Sequence, residues 1–333
     1  MLNWGVLGCA AIAEQHVIRA IGQSANGRVL AVASRDAERA RAAAERHGVP
    51  RHYGSYEALL RDPDVDAVYI PLPNHLHCEW TIRAAFAGKH VLCEKPFAMN
   101  ADEAARMAQA CRDANVTLAE AFMYRHHPRY ARARELIAAG AIGDVRGVAA
   151  WFTFDLSGRG DDIRFRPELG GGSVYDNGCY AVSGARLALG AEPEAVTAHA
   201  YRSERHGGVD MMNAALLEFP GGVGATLQFG MWCDGRNEIQ VLGSRGSIVI
   251  PEAFYYDPPA ALRLIVRSEG RTAEETFAPA DHYVLQVESF ADSVLGGAAP
   301  AFGPRDAVAN MRVLDAIRAS SRSRARISLL GSD

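Results

Sequence analysis

Short apolar runs alternate with segments of helical period over the first part of the chain. The runs Asn3 to Leu7, Val29 to Ala33, Ala67 to Ile70, His90 to Cys93 and Thr117 to Ala121 are of strand length and mostly aliphatic. Such runs suit strands buried on both faces of a parallel sheet. Between them, Ala13, Val17, Ala20 and Ile21 fall on one helical face, and Asp36 and Gly48 stand where a helix would begin and end. Strand and helix in strict alternation predict a doubly wound α/β domain over residues 1–121.

The pattern changes near Val145. Longer β-rich segments follow: Val145 to Phe154, Glu194 to Tyr201, Met211 to Phe219, Val223 to Met231, Glu238 to Leu242 and Leu262 to Val266. Pro220-Gly221-Gly222 reads as a hairpin turn between two of them. A helix is expected over Tyr175 to Leu189, and two more near Tyr283 to Leu295 and Arg305 to Ser320. Residues 122–333 therefore read as an α+β domain on a large, mostly antiparallel open sheet, its helices on one face. The other face lacks a helical cover, which points to self-association through the sheet as a homodimer or homotetramer.

Length supports two domains, since single cores stop growing near ~250 to 300 residues and this chain has 333. With 22% charged residues, a formal net charge of -4 and no long run of one sign, nothing favours nucleic acid or an anionic membrane. The opening Met1-Leu2-Asn3-Trp4 has no targeting pattern, and no apolar stretch approaches the ~20 residues of a membrane span. A cytoplasmic enzyme is the expectation. Six cysteines without a C-x-x-C pair read as buried free thiols rather than a metal or disulfide framework, and no metal site is expected.

The chemistry begins at the first strand. Gly8, Ala10 and Ala13 hold the G-x-G-x-x-G spacing, with Ala11 and Ile12 opening the helix. The pattern needs a tight turn, a close backbone approach to pyrophosphate and close helix packing, and alanine can serve the last two. The helix N-terminus then offers amide donors to the phosphates. At the end of the second strand stand Ser34 and Arg35, 26 residues beyond Gly8 (34 − 8), where NAD-preferring sites usually carry an acid. A guanidinium there suits a 2′-phosphate, so NADP is favoured, with NAD possible. Asp36 either touches the ribose or caps the next helix. The fourth apolar run delivers Lys95 to the carboxyl edge of the sheet, where partial burial would lower its pKa toward the range useful for proton transfer.

Four segments carry a resemblance: Gly5 to Ala10, Ile70 to Asn74, Gly88 to Pro96, and Gly170-Gly171-Gly172 followed by Asp176 to Tyr180. In this order they resemble the Gfo/Idh/MocA oxidoreductases over nearly the whole chain, nearest to the NADP-dependent xylose and dihydrodiol dehydrogenases and glucose-fructose oxidoreductase. The resemblance implies that Lys95 is catalytic, that Asp176 and Tyr180 form the family's D-x-x-x-H/Y pair, and that Glu94 helps hold the nicotinamide end together with Lys95. It also implies that Pro71, Asn74 and His77 line the nicotinamide pocket. Arg125 lies in a segment similar to the family's crossover, where it can meet substrate hydroxyls or brace the interface. Arg164 lies in a loop similar to one at the substrate mouth, or is a solvated charge. Independently of the family, Asp176 and Tyr180 are four apart and share a helical face.

The expected reaction is hydride transfer between nicotinamide and a sugar or polyol, with an aldose oxidised at its anomeric carbon. Tyr180 assisted by Lys95, or Lys95 itself, takes the hydroxyl proton. The alternatives are reduction of a keto-sugar, NAD-dependent glycoside hydrolysis, and a non-catalytic dinucleotide sensor.

Overall fold

The computed structural model describes residues 1–331, in two compact units. The first comprises Met1–His126 together with Asp281–Val308. Its sheet is formed by β1 (Leu2–Leu7), β2 (Gly27–Ala33), β3 (Arg51–Tyr53), β4 (Ala67–Ile70), β5 (His90–Cys93) and β6 (Leu118–Glu120), in the order β3-β2-β1-β4-β5-β6 and parallel throughout. The order reverses between β1 and β4, the switch point at which such sheets bind ligands. β1 and β4 are almost wholly buried, as their aliphatic sequences require.

The helix of Ala37–His47 begins and ends where the sequence indicated. Asp36 Oδ1 accepts from the amides of Glu38 and Arg39 at 3.0 and 3.2 Å, and Gly48 closes the helix at φ 64°.

The helix of His282–Gly296, which the sequence suggested as a cover for the second sheet, belongs instead to the first unit. It packs on β2, on the helix of Ala13–Gln23 and on the turn Met123–His126. Phe290 meets the buried Trp4 with ring centroids 5.2 Å apart, and Asn26 Nδ2 donates to Asp292 Oδ1 at 2.7 Å. An apolar helical stripe marks that a helix is buried, and leaves open which sheet buries it.

The second unit, His127–Ala280 with Ala309 onward, carries nine strands. They are β7 (Val145–Asp155), β8 (Ala195–Ser203), β9 (Val209–Phe219), β10 (Val223–Gly230), β11 (Trp232–Gly243), β12 (Gly246–Pro251), β13 (Arg263–Ser268), β14 (Arg271–Thr276) and β15 (Ile327–Ser328). Their order is β14-β13-β12-β11-β7-β10-β9-β8-β15, antiparallel except for the β7–β10 pair. The hairpin at Pro220–Gly222 joins β9 to β10, with Gly221 and Gly222 both at positive φ.

Leu227, Phe229, Ile239 and Val241 lie on the face covered by the helix of Cys179–Leu189. The opposite face leaves Tyr201, Leu216, Trp232 and Leu242 each at least 40% exposed, with Tyr201 and Trp232 stacked at 4.2 Å.

Candidate functional site

β1 ends in the turn that starts the dinucleotide cradle. Gly8 has φ +122°, and a Cβ there would sit 3.1 Å from Leu72 Cδ2, so a side chain is both strained and crowded. Its amide donates to Ala33 O at 2.9 Å, which fixes the turn against β2. The helix opens with Ala10 O accepting from the Glu14 amide at 3.1 Å. The first-turn amides of Ala11, Ile12 and Ala13 have no partner within the helix, so a phosphate fits at this end.

At the end of β2, Ser34 is buried and its Oγ accepts from the Asp36 amide at 3.2 Å. Arg35 is exposed and lies beside the Tyr56 phenol. Burial raises the Tyr56 phenol above its ordinary pKa while Arg35 pulls it down. Asp36 is committed to the helix cap, the second of the two roles open to it. Arg39, one turn past Arg35, donates to Cys9 O at 2.6 Å and so ties the turn after β1 to the same corner; its spacing in the sequence does not single it out.

The loop after β5 is held from three sides. Glu94 is buried; its Oε1 accepts from the Tyr69 hydroxyl at 2.6 Å and its Oε2 from the Lys95 amide at 3.1 Å. Burial raises the Glu94 pKa above the ordinary carboxyl value, against the opposing pull of the Lys95 ammonium. Glu120, at the end of β6, accepts from the Phe97 amide at 2.9 Å; a lone acid closing a short apolar run gave no sequence signal for this role. His77 is fully buried, with Nδ1 2.9 Å from Pro96 O and Nε2 2.8 Å from Leu72 O. It therefore braces the Pro71–Asn74 segment against the Lys95 loop through main-chain carbonyls, which is a different part from lining a pocket. Burial outweighs those carbonyls and, with the Lys95 charge, holds its pKa down at about 4. Lys95 is half-buried, and its peptide bond to Pro96 is cis.

Arg125 is buried, pairs with Asp306, and lies over the rings of Phe122 and Phe302 at 4.6 and 5.0 Å. Those are the contacts of a brace. His126 and His127 sit beside cationic neighbours and are held at about 4, chiefly by burial. Among the described residues no group of three or more His, Cys, Asp or Glu side chains is arranged to hold a metal ion. Five of the six cysteines are buried and Cys233 is half-exposed, with no disulfide among the described residues.

In the second unit, Asp176 and Arg164 are brought together, with Nε to Oδ2 at 2.7 Å. Arg164 also reaches Asp162 Oδ1 at 3.3 Å, so it is paired rather than a solvated charge. The Asp176 carboxylate raises the Arg164 pKa, against the opposing effect of burial. Asp176 lies in a π-turn, Val174–Gly178, that runs into the α-helix Cys179–Leu189. Tyr180 is buried, with its ring edge-on to Phe152 at 5.2 Å and tilted to Phe254 at 5.8 Å. One continuous helical period runs through this segment, and nothing in it marks the widened turn.

A parallel sheet whose order reverses between β1 and β4, with a glycine turn and a helix start at its carboxyl edge, has the form of a dinucleotide-binding domain. Residues 2–122 match the oxidoreductase family with an NAD-binding Rossmann fold, and residues 130–249 match the GFO/IDH/MocA C-terminal domain. The chain belongs to the GFO/IDH/MocA oxidoreductase family. It is 45% identical over 328 residues to D-xylose 1-dehydrogenase (NADP(+)) 2 of Haloferax volcanii, covering 98% of this chain and 100% of that protein. A 3-ketoreductase of Actinomadura kijaniata, solved with NADP and TDP-benzene, superposes with a TM-score of 0.90 at 34% identity, covering 96% of this chain and 97% of that one. An aldose-aldose oxidoreductase of Caulobacter crescentus, solved with glycerol, superposes with a TM-score of 0.91 at 30% identity over 98% of this chain and 99% of that one. No helix of the described residues is long and apolar enough to cross a membrane.

Proposed function

We propose that the protein is an NADP(H)-linked sugar dehydrogenase that oxidises an aldose at its anomeric carbon, with NAD(H) as a weaker substitute. The observation that carries this reading is convergence. Gly8, Ser34–Arg35 and Lys95 follow β1, β2 and β5, so all lie at the carboxyl edge of one parallel sheet and flank its switch point. The sugar class rests on the relatives: a xylose dehydrogenase, a nucleotide-sugar ketoreductase and an aldose-aldose oxidoreductase.

The nicotinamide supplies the hydride chemistry. In this reading Ala10, Ala11, Ile12 and Ala13 bind pyrophosphate, Ser34 and Arg35 hold the 2′-phosphate, and Pro71, Asn74 and Glu94 hold the nicotinamide end. The sugar carbon loses a hydride to the nicotinamide while its hydroxyl proton passes to Tyr180 acting as phenolate. Asp176, paired with Arg164, orients the hydroxyl. Lys95 as direct base is the alternative assignment. The first unit forms the dinucleotide-binding part, and the second binds sugar and self-associates through its open sheet face. The absence of a disulfide among the cysteines of the described residues suits the reducing cytoplasm.

The test is absorbance of reduced nicotinamide with a panel of aldoses, inositols and diols offered with NADP or NAD. Lys95→Ala is expected to cost far more in kcat than in KM. Turnover that survives in Lys95→Ala overturns the assignment. A second reading, reduction of a keto group on a sugar nucleotide, is favoured by the likeness to the 3-ketoreductase. Oxidation of NADPH by a keto-sugar, with no aldose turnover, selects it.

A further inference from the structure

The helix that bears Asp176 and Tyr180 begins on a buried carboxylate from another element. Asp210 of β9 is 6% exposed. Its Oδ2 accepts from the Val174 amide at 2.7 Å, from Ser173 Oγ at 2.9 Å and from Asn213 Nδ2 at 2.8 Å. Asn213 Nδ2 also donates to Ser173 Oγ at 2.8 Å, which closes the network. Bonds to a carboxylate are the stronger kind, and a negative charge at a helix start is favourably placed. Gly172 admits this approach: it has φ +110°, and a Cβ there would fall 2.4 Å from Asp210 Oδ1.

The far end of the turn is pinned as well. Asn177 Nδ2 donates to Phe152 O at 3.1 Å and to Gly230 O at 2.8 Å, and a Cβ on Gly178 would meet the Phe229 ring at 2.7 Å. Asp176 stands between the two anchors. A π-turn is intrinsically rare and holds one residue more than an α-turn. Relaxing it to α-geometry rotates the residues before it by about 100° relative to those after it. Asp176 lies inside the turn, so the change would shift it relative to Tyr180 even though a four-residue spacing keeps both on one side of the helix; the anchors therefore set the mutual orientation of the pair.

We propose that Asp210 is a positioning residue for the reaction: by capping Ser173 and Val174 it holds the widened turn that sets the mutual orientation of Asp176 and Tyr180. The proposal rests on the roles given to those two residues above. It adds a residue that touches neither sugar nor dinucleotide.

Asp210→Asn and Ser173→Ala are made with and without Tyr180→Phe, and followed by NADPH fluorescence titration, melting temperature and steady-state kinetics. The expected result is unchanged NADPH affinity in Asp210→Asn, a kcat lowered about tenfold or more, since small misplacements of reacting groups are costly, and a smaller fall in Ser173→Ala. On the Tyr180→Phe background, Asp210→Asn is expected to lower kcat little further, because it acts through that residue. Full kcat in a folded, NADPH-binding Asp210→Asn enzyme with a lowered melting temperature overturns the proposal and leaves a scaffold role. So does a loss that multiplies fully onto Tyr180→Phe. Should Asp210→Asn fail to fold, Ser173→Ala decides by the same criteria. Full turnover in Tyr180→Phe alone is a separate outcome: it refutes the role of Tyr180 and the proposal with it, whereas a damaged Tyr180→Phe beside an intact Asp210→Asn refutes positioning only.

Discussion

Replacing Arg35 with alanine is expected to lower the preference for NADP over NAD while leaving the use of NAD nearly unchanged. Arg35 follows Ser34 at the end of β2, and the nearest carboxylate, Asp36, is committed to capping the helix behind it. No acid is therefore turned toward a 2′-phosphate from that position. A hydrogen bond to a charged group contributes roughly 1.5 to 3 kcal/mol. Arg35 is exposed, so solvent screening places its share near the lower end. About 1.4 kcal/mol is a factor of ten, so the KM and Kd for NADP should rise about tenfold. Arg39, one turn on and anchored to Cys9 O, retains part of the positive field and keeps the loss from being larger. Initial rates over a range of NADP and of NAD, paired with NADPH and NADH titrations at low and high salt, measure both quantities. Equal weakening of both cofactors refutes phosphate recognition and leaves Arg35 to stack on adenine. Unaltered NADP binding refutes any part for Arg35 in the site.

Arg125→Ala should cost stability rather than turnover: removing the buried partner of Asp306 is expected to cost about 3 kcal/mol, read by denaturant unfolding. Per folded enzyme the sugar KM should stay as it was, and a large rise in KM would assign Arg125 to the substrate instead. Acid should destabilise the fold. His77, His126 and His127 are held at about 4 in the folded chain, below the ~6.5 of an unfolded histidine, so the unfolded state binds more protons between those values. Stability is then complete above about pH 6.5 and falls as pH drops toward 4. Melting temperatures across that window check it, and His126→Gln should flatten the slope, a slope unaltered by the substitution counting against the argument. Leu216→Arg with Leu242→Arg places charge on the open sheet face and should shift the protein to monomer in sedimentation velocity; an unchanged mass refutes association through that face.

The legible part of this sequence is the part where one periodicity has one structural solution. β1, β2, β4 and β5 are buried on both faces, so their aliphatic runs could hardly be anything else. β3 and β14 were missed because edge strands carry little apolar pattern: Arg271–Thr276 is almost wholly exposed and has no hydrophobic alternation to find. β12 was missed for the opposite reason, a three-residue apolar core between Gly246-Ser247 and Pro251 that is too short for period alone to classify.

The candidate site divides along the same line. Gly8 and Lys95 stand out by their offsets from strand ends, whereas Asp176 and Tyr180 stand out through the family resemblance, their four-residue spacing adding only that they share a helical face. Asp210, Glu120 and Arg39 do not, because each acts by reaching across the fold to a main-chain amide, a hydroxyl or a carbonyl, and a contact of that kind leaves no spacing in the sequence. His77 shows the consequence. Its position beside the Pro71–Asn74 segment suggested a ligand contact, yet both ring nitrogens face main-chain carbonyls of the two loops it joins. Proximity in sequence to a site is thus a weaker indicator of contact with substrate than of service to the backbone that makes the contact, and the residues that hold a reacting pair in register must be sought among buried polar groups with three or more partners.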